Sequence, residues 1–323
     1  MERPRYTVTA TPHIRASDSI ERTMYYVLIA LAPAAVMGVV FFGLRALAVI
    51  GISIASAVIF EALYQKLTRK PVTVKDGSAV ITGLLLAMTL PPALPLWMPV
   101  IGSFAAIVLV KQLFGGLGHN FLNPALAGRA ILMAAYASPM TVAFYTPNVW
   151  GSVDAVTSAT PLLLMESGVF TPSAPDFLAS FAGNIGGSIG ETAAFALLAG
   201  GLFLLVKKVI TWHIPVSFIA SAGVLAFLLN PGGVSGGIAL YHILAGGLLL
   251  GAFFMATDYP TSPVTPVGKV IFGAGCGVIT MVIRLYGGYP EGVAYAILLM
   301  NLAVPLIDRY TRPRVLGIKK RGA

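Results

Sequence analysis

Apolar runs alternate with short polar breaks along most of the chain. Many runs reach about 17–25 residues, the length a bilayer-crossing helix needs. The pattern predicts ten helical segments: 22–43, 46–65, 78–90, 97–113, 125–137, 189–206, 213–229, 238–256, 268–284 and 292–308. The third and fifth are short for a span. Pro91, Pro92 and Pro95 end the third, and Asn123-Pro124 opens the fifth. Proline cannot continue a helix but suits its first turn. Short, broken helices at membrane depth must be buried in protein or line a cavity. The expected fold is an all-α polytopic membrane protein.

The pattern also repeats. GLLLAMTLPPALPLWMPVIG (83–102) reads like GLLLGAFFMATDYPTSPVTPVG (247–268), and FGGLGHNFLNPALAGRAILM (114–133) parallels YGGYPEGVAYAILLM (286–300). Five helices per unit is an odd number, so the second copy is expected to be inverted. Inverted repeats with paired broken helices are a transporter-like architecture, with the site near the repeat interface. The expected organisation is an N-terminal segment 1–21, a first repeat 22–137, a polar loop 138–188, a second repeat 189–308 and a basic tail 309–323.

Composition supports this reading. The chain has 323 residues, 57 % hydrophobic and 10 % charged, where soluble domains run near a quarter charged. The first twenty residues hold no apolar core of the kind a cleaved signal peptide needs. A net charge of +9 raises nucleic acid as a partner, but the charges sit between apolar runs and at the termini, as positive-inside loops do. With the N-terminus in the cytoplasm, 18 of the 21 Lys and Arg fall on the cytoplasmic side, Lys111 and Lys75 among them. Arg45 and Arg284 fall outside, and Arg129 lies within a helix. Loop 138–188 has no Lys or Arg and is expected to face outward, with both termini inside. The basic KKR at 319–321 suits anionic lipid. Cys276, the single cysteine, cannot make an internal disulfide or hold an iron–sulfur cluster alone, and reads as a small packing residue. The scattered histidines show no metal spacing.

The chemistry concentrates in few places. Thr160 precedes Pro161 and the apolar run LLLME, a pattern that caps a short helix. A helix N-terminus also favours a phosphate, which a threonine oxygen could carry covalently. Asp154 could orient that group or be read by a modifying enzyme. His119, Asn120 and Asn123 lie at one break, and Thr257, Asp258 and Thr261 at the corresponding one. There they either satisfy freed backbone groups or face a ligand or ion. Ionisable residues within spans are functional hypotheses. Glu61 and Glu191 read as interfacial, near helix ends, while Arg129 lies deeper and could pair with a carboxylate or a ligand carbonyl.

Asp154-Ala-Val-Thr157-Ser158-Ala159-Thr160 resembles the flavinylation motif of membrane redox complexes, roughly D-x-x-S/T-small-A-T. GHNFLNPALAGRA (118–130), TDYPTSPVT (257–265) and GYPEGVAYAILLMNLAVPLIDRY (288–310) are similar to the D-type membrane subunit of Rnf complexes, and the resemblance covers nearly the whole chain. The related B-type membrane subunit of the sodium-pumping NADH:quinone reductase shares the motif but has a longer N-terminus. Ser158 stands where the family often has glycine. The resemblance implies FMN joined through its phosphate to Thr160 by a separate flavin transferase, and a second, non-covalent flavin, riboflavin, in the membrane part. It also implies electron transfer between ferredoxin and NAD coupled to sodium or proton movement. The implied partners are other Rnf subunits, among them a second flavinylated subunit and iron–sulfur subunits. The rival class is a channel or solute transporter without a redox cofactor, which the inverted repeats alone would equally suit.

Overall fold

The computed structural model describes residues 19–144, 147, 161–166, 172–229, 236–287 and 291–312. Among them there is helix and turn but no strand. The sequence of elements is α1 (Ile20–Leu67), α2 (Ser78–Met88), α3 (Met98–Gln112), α4 (Pro124–Ala135), α5 (Ala137–Val142), α6 (Pro161–Glu166), α7 (Ala174–Ala182), α8 (Ala194–Val206), α9 (His213–Leu229), α10 (Gly236–Leu244), α11 (Leu248–Met255), α12 (Pro266–Tyr286) and α13 (Val293–Thr311). Each of the ten segments read from the sequence contains helix.

Three of these helices, α1, α12 and α13, are individually long and apolar enough to cross a membrane. The pair α10–α11 passes the same test together, bent by 63°. Straight, the 48 residues of α1 would run about 72 Å, more than twice a hydrocarbon core. Gly43 prevents this. Its φ of 70° and ψ of −158° suit only glycine and divide α1 into 20–42 and 44–67. The division matches the expected boundary between the first two segments.

The structure differs from the sequence reading in three local ways. The sixth segment becomes helical only at Ala194, because 188–193 runs as turns against the end of α2. The eighth is interrupted at 245–247, where Gly246 takes a φ of +72°. Long polar 138–188 is partly helical and docked: Leu162 of α6 packs with Tyr241 and Ala245, and Phe177 of α7 meets the Tyr241 ring edge-on at 5.9 Å. Ser173 and Asp176 close a capping box at the start of α7. The motif residues Asp154, Thr157, Ser158, Ala159 and Thr160 lie outside the described residues, as do 1–18 and 313–323.

Small residues set the helix spacing, as lipid-embedded packing favours. The second half of α1 packs on α2, and α12 packs on both α9 and α13. A Cβ on Gly83 would lie 2.7 Å from Ser53 O, and one on Gly277 would lie 2.6 Å from Phe218 O. Cys276 is buried in the same α12 seam. Gly277→Ala is expected to destabilise the chain by about 1–3 kcal/mol through overpacking. Gly51→Ala, with nothing within 4 Å, should be neutral or slightly stabilising. Unfolding midpoints in detergent check this, and equal shifts in the two variants would contradict the packing.

Candidate functional site

Two breaks meet at one cleft. The first is 113–123, between α3 and α4, and the second is 256–265, between α11 and α12. Each follows a π-helical stretch, Ala105–Gln112 in α3 and Gly251–Met255 in α11. Wider π turns inside helices often mark functional positions. The cleft has a volume of ≈ 810 Å³ including its open mouth. Its apolar walls include Val27 of α1, Leu85 of α2 and Phe253 and Phe254 of α11, and its polar groups include Lys111, Asn120, Asn123, Thr257 and Asp258.

Asn123 ties the two breaks together. Its Oδ1 accepts from the N–H groups of Ala125 and Leu126 at 3.1 and 3.3 Å, capping α4. Its Nδ2 donates to Met255 O at 3.1 Å, the end of the other π stretch. Asn301 of α13 completes the junction. With its amide nitrogen toward Thr261 O (3.1 Å), its oxygen accepts from the Asn123 N–H at 3.1 Å. Asn120 is buried and donates to Leu122 O. Asp258 lies half-buried in the second turn, outside the helices. Burial raises its pKa to about 6 against the opposing pull of Thr261, Asn120 and Lys111. Thr257 lines the cleft but spends its hydroxyl on Phe253 O at 2.7 Å. His119 is exposed and takes no part in the lining.

Lys111, counted from the sequence in the cytoplasmic set, is held inside the protein. It is buried, as is Glu61, which the sequence placed at an interface. The Lys111 ammonium donates to both Glu61 oxygens at 3.0 and 2.9 Å and to Ser78 Oγ at 2.6 Å. Gln112 donates to the same carboxylate at 2.8 Å. The π geometry brings these adjacent side chains to one partner. Asp76 accepts from the Ser78 hydroxyl and its N–H, fixing the start of α2.

Arg129 does not line the cleft. It is buried between Glu191 (3.3 Å) and Glu291, both of which lie just before helices. Glu191 is therefore buried rather than interfacial. Arg284, one of the two basic residues expected on the outer side, is buried and donates to His242 O and Ala245 O. Glu291 was not singled out from the sequence. Its only signal was a carboxylate in the Pro-Glu-Gly step opening a helix.

Removing one partner of a buried ion pair strands the other, at a cost of about 3–5 kcal/mol. Lys111→Met and Glu61→Met are each expected to lose that much. The double variant should recover most of it. Detergent unfolding read as a double-mutant cycle checks this, and additive losses would show that the pair is not coupled.

Comparison with known proteins gives the same grouping. The family model described as "NQR2, RnfD, RnfE family" matches residues 7–317. The D subunit of the Na(+)-translocating ferredoxin:NAD(+) oxidoreductase complex of Acetobacterium woodii is 50 % identical, over 97 % of this chain and 96 % of that protein. Its counterpart in the proton-translocating ferredoxin:NAD(+) oxidoreductase complex of Clostridium ljungdahlii is 46 % identical, over 98 % and 97 %. The corresponding protein of the ion-translocating oxidoreductase complex of Escherichia fergusonii is 37 % identical, over 98 % and 99 %. With a family match across nearly its whole length and relatives this similar, the chain belongs to the NQR2, RnfD, RnfE family.

Proposed function

We propose that the chain is the membrane-embedded flavoprotein subunit of an Rnf-type complex. The complex passes electrons between ferredoxin and NAD and moves sodium ions or protons across the membrane. The subunit carries electrons and does not itself bind NAD or ferredoxin. FMN is joined as a phosphoester to Thr160 by a flavin transferase, with Asp154, Thr157, Ser158 and Ala159 forming the recognised motif. Both termini are cytoplasmic and the flavin loop is extracytoplasmic, in the inner membrane of a prokaryote. The other subunits include a second flavinylated one and, separately, the iron–sulfur subunits that carry the clusters.

The observation that carries this reading is the cleft joining Asn120, Asn123, Thr257 and Asp258. A riboflavin suits it: the ligand lacks a phosphate, and the cleft pairs apolar walls with a few convergent polar groups, as small-molecule sites do. Asn120 and Asp258 would hold the polar edge of the ring, and Val27, Leu85, Phe253 and Phe254 would cover its faces. Asn123 keeps the two breaks in register, and Lys111 is held on the wall by Glu61. A bound flavin supplies one- and two-electron chemistry that side chains lack. The protein's part is to exclude water, orient the ring and set the charge around it.

In denaturing gels of chain co-expressed with a flavin transferase, the wild type should fluoresce and Thr160→Ala should be dark. The variant's unfolding midpoint should fall by no more than a helix cap is worth, about 1 kcal/mol. A dark wild-type band would overturn covalent attachment and favour the transporter reading.

A further inference from the structure

The stretch 188–192 is non-helical backbone deep in the protein. Three of its N–H groups are used up: Ile189 N donates to Leu90 O at 3.1 Å, Gly190 N to Met88 O at 2.8 Å and Glu191 N to Ser188 O at 3.1 Å. Its side-chain oxygens are not. Glu191 Oε2 and Thr192 Oγ1 are buried and have no hydrogen-bond partner, and the Ser188 hydroxyl lies against the Glu191 carboxylate. Glu191 is 3 % exposed and Thr192 1 %. Buried polar atoms are rarely left unmet, and a missing ion is one reason for them.

Glu191 also separates two small cavities. One is reached past Pro161 and bounded by Thr192, Gly246 and Glu291. The other lies toward Thr89, Arg129 and Met255. Each has room for about one water-sized occupant. Glu191 and Glu291 line both. Arg129 reaches Glu191 through Oε1 only, and Arg284 gives its two terminal nitrogens to carbonyls, leaving its Nε without a partner.

The geometry points to a sodium site at Glu191, with Oε2 and Thr192 Oγ1 as ligands, Ser188 beside them, and Glu291 and Arg129 as counter-groups. Oxygen-only donors suit a hard cation, and unwound backbone beside half-helix ends is where membrane carriers hold sodium. The inference rests on the ion-translocating reading above. The charges of Arg129, Arg284, Glu191 and Glu291 cancel, so an ion adds one positive charge.

The test uses the purified full chain, flavinylated, in detergent with choline as the background cation. Sodium chloride is titrated while the unfolding midpoint and radioactive sodium binding are read. Sodium, but not choline, should raise the wild-type midpoint. Thr192→Val keeps shape and both ion pairs, and should raise the half-effect concentration about tenfold, the equivalent of roughly one lost polar interaction. Glu191→Gln should abolish the effect. No sodium-specific shift in the wild type overturns the site, as does a shift that survives unchanged in Thr192→Val and Glu191→Gln. A midpoint that follows pH and ignores sodium also overturns it, in favour of a proton on Glu191. Flavin fluorescence of the same samples separates the two readings: its loss with sodium binding intact sinks the flavin assignment alone.

Discussion

A bilayer core offers no hydrogen bonds, so each break in a membrane helix must be closed by the protein itself. That constraint organises this molecule. Where α2 ends, its carbonyls at Met88 and Leu90 are met by the N–H groups of Gly190 and Ile189. Where α3 gives way to α4, Asn123 caps the new helix and reaches Met255 O across the molecule. The breaks 113–123 and 256–265 are therefore neighbours, joined by the Asn123 side chain and bridged by Asn301. A cleft with apolar sides and a polar floor follows from that arrangement.

Buried charge obeys a parallel rule. Lys111 and Glu61 are tolerable inside because Ser78 and Gln112 complete their bonding. Arg129 is similarly held by two glutamates. The segment 188–192 concentrates unmet acceptors on neighbouring residues, Glu191 Oε2 and Thr192 Oγ1. Such a pair is where an ion would find ligands already desolvated.

Much of this was legible in the sequence. Length, apolar periodicity and proline placement located all ten helical segments and both breaks, and the quoted motifs identified the family. Asn120, Asn123, Thr257 and Asp258 were readable because polar residues at helix breaks have few roles open to them. The charge partners were not. Lys111 lies next to Gln112 near a helix end, and nothing local distinguishes it from a solvated lysine. Its burial depends on Glu61, fifty positions away, and on a π-helical turn that no residue pattern announces. Glu191 looked interfacial because the expected helix started at 189. Its true setting depends on Gly190 and on the carbonyls of a distant helix.

The central claim is that the two breaks together form a flavin cleft. The most direct measurement is the flavin released from purified, acid-precipitated full chain, compared with the same preparation of Asp258→Leu. The wild type should release phosphate-free flavin in proportion to the chain. The variant should release far less while its covalent flavin is unchanged. No extractable flavin in the wild type, or equal release from both, would contradict the claim.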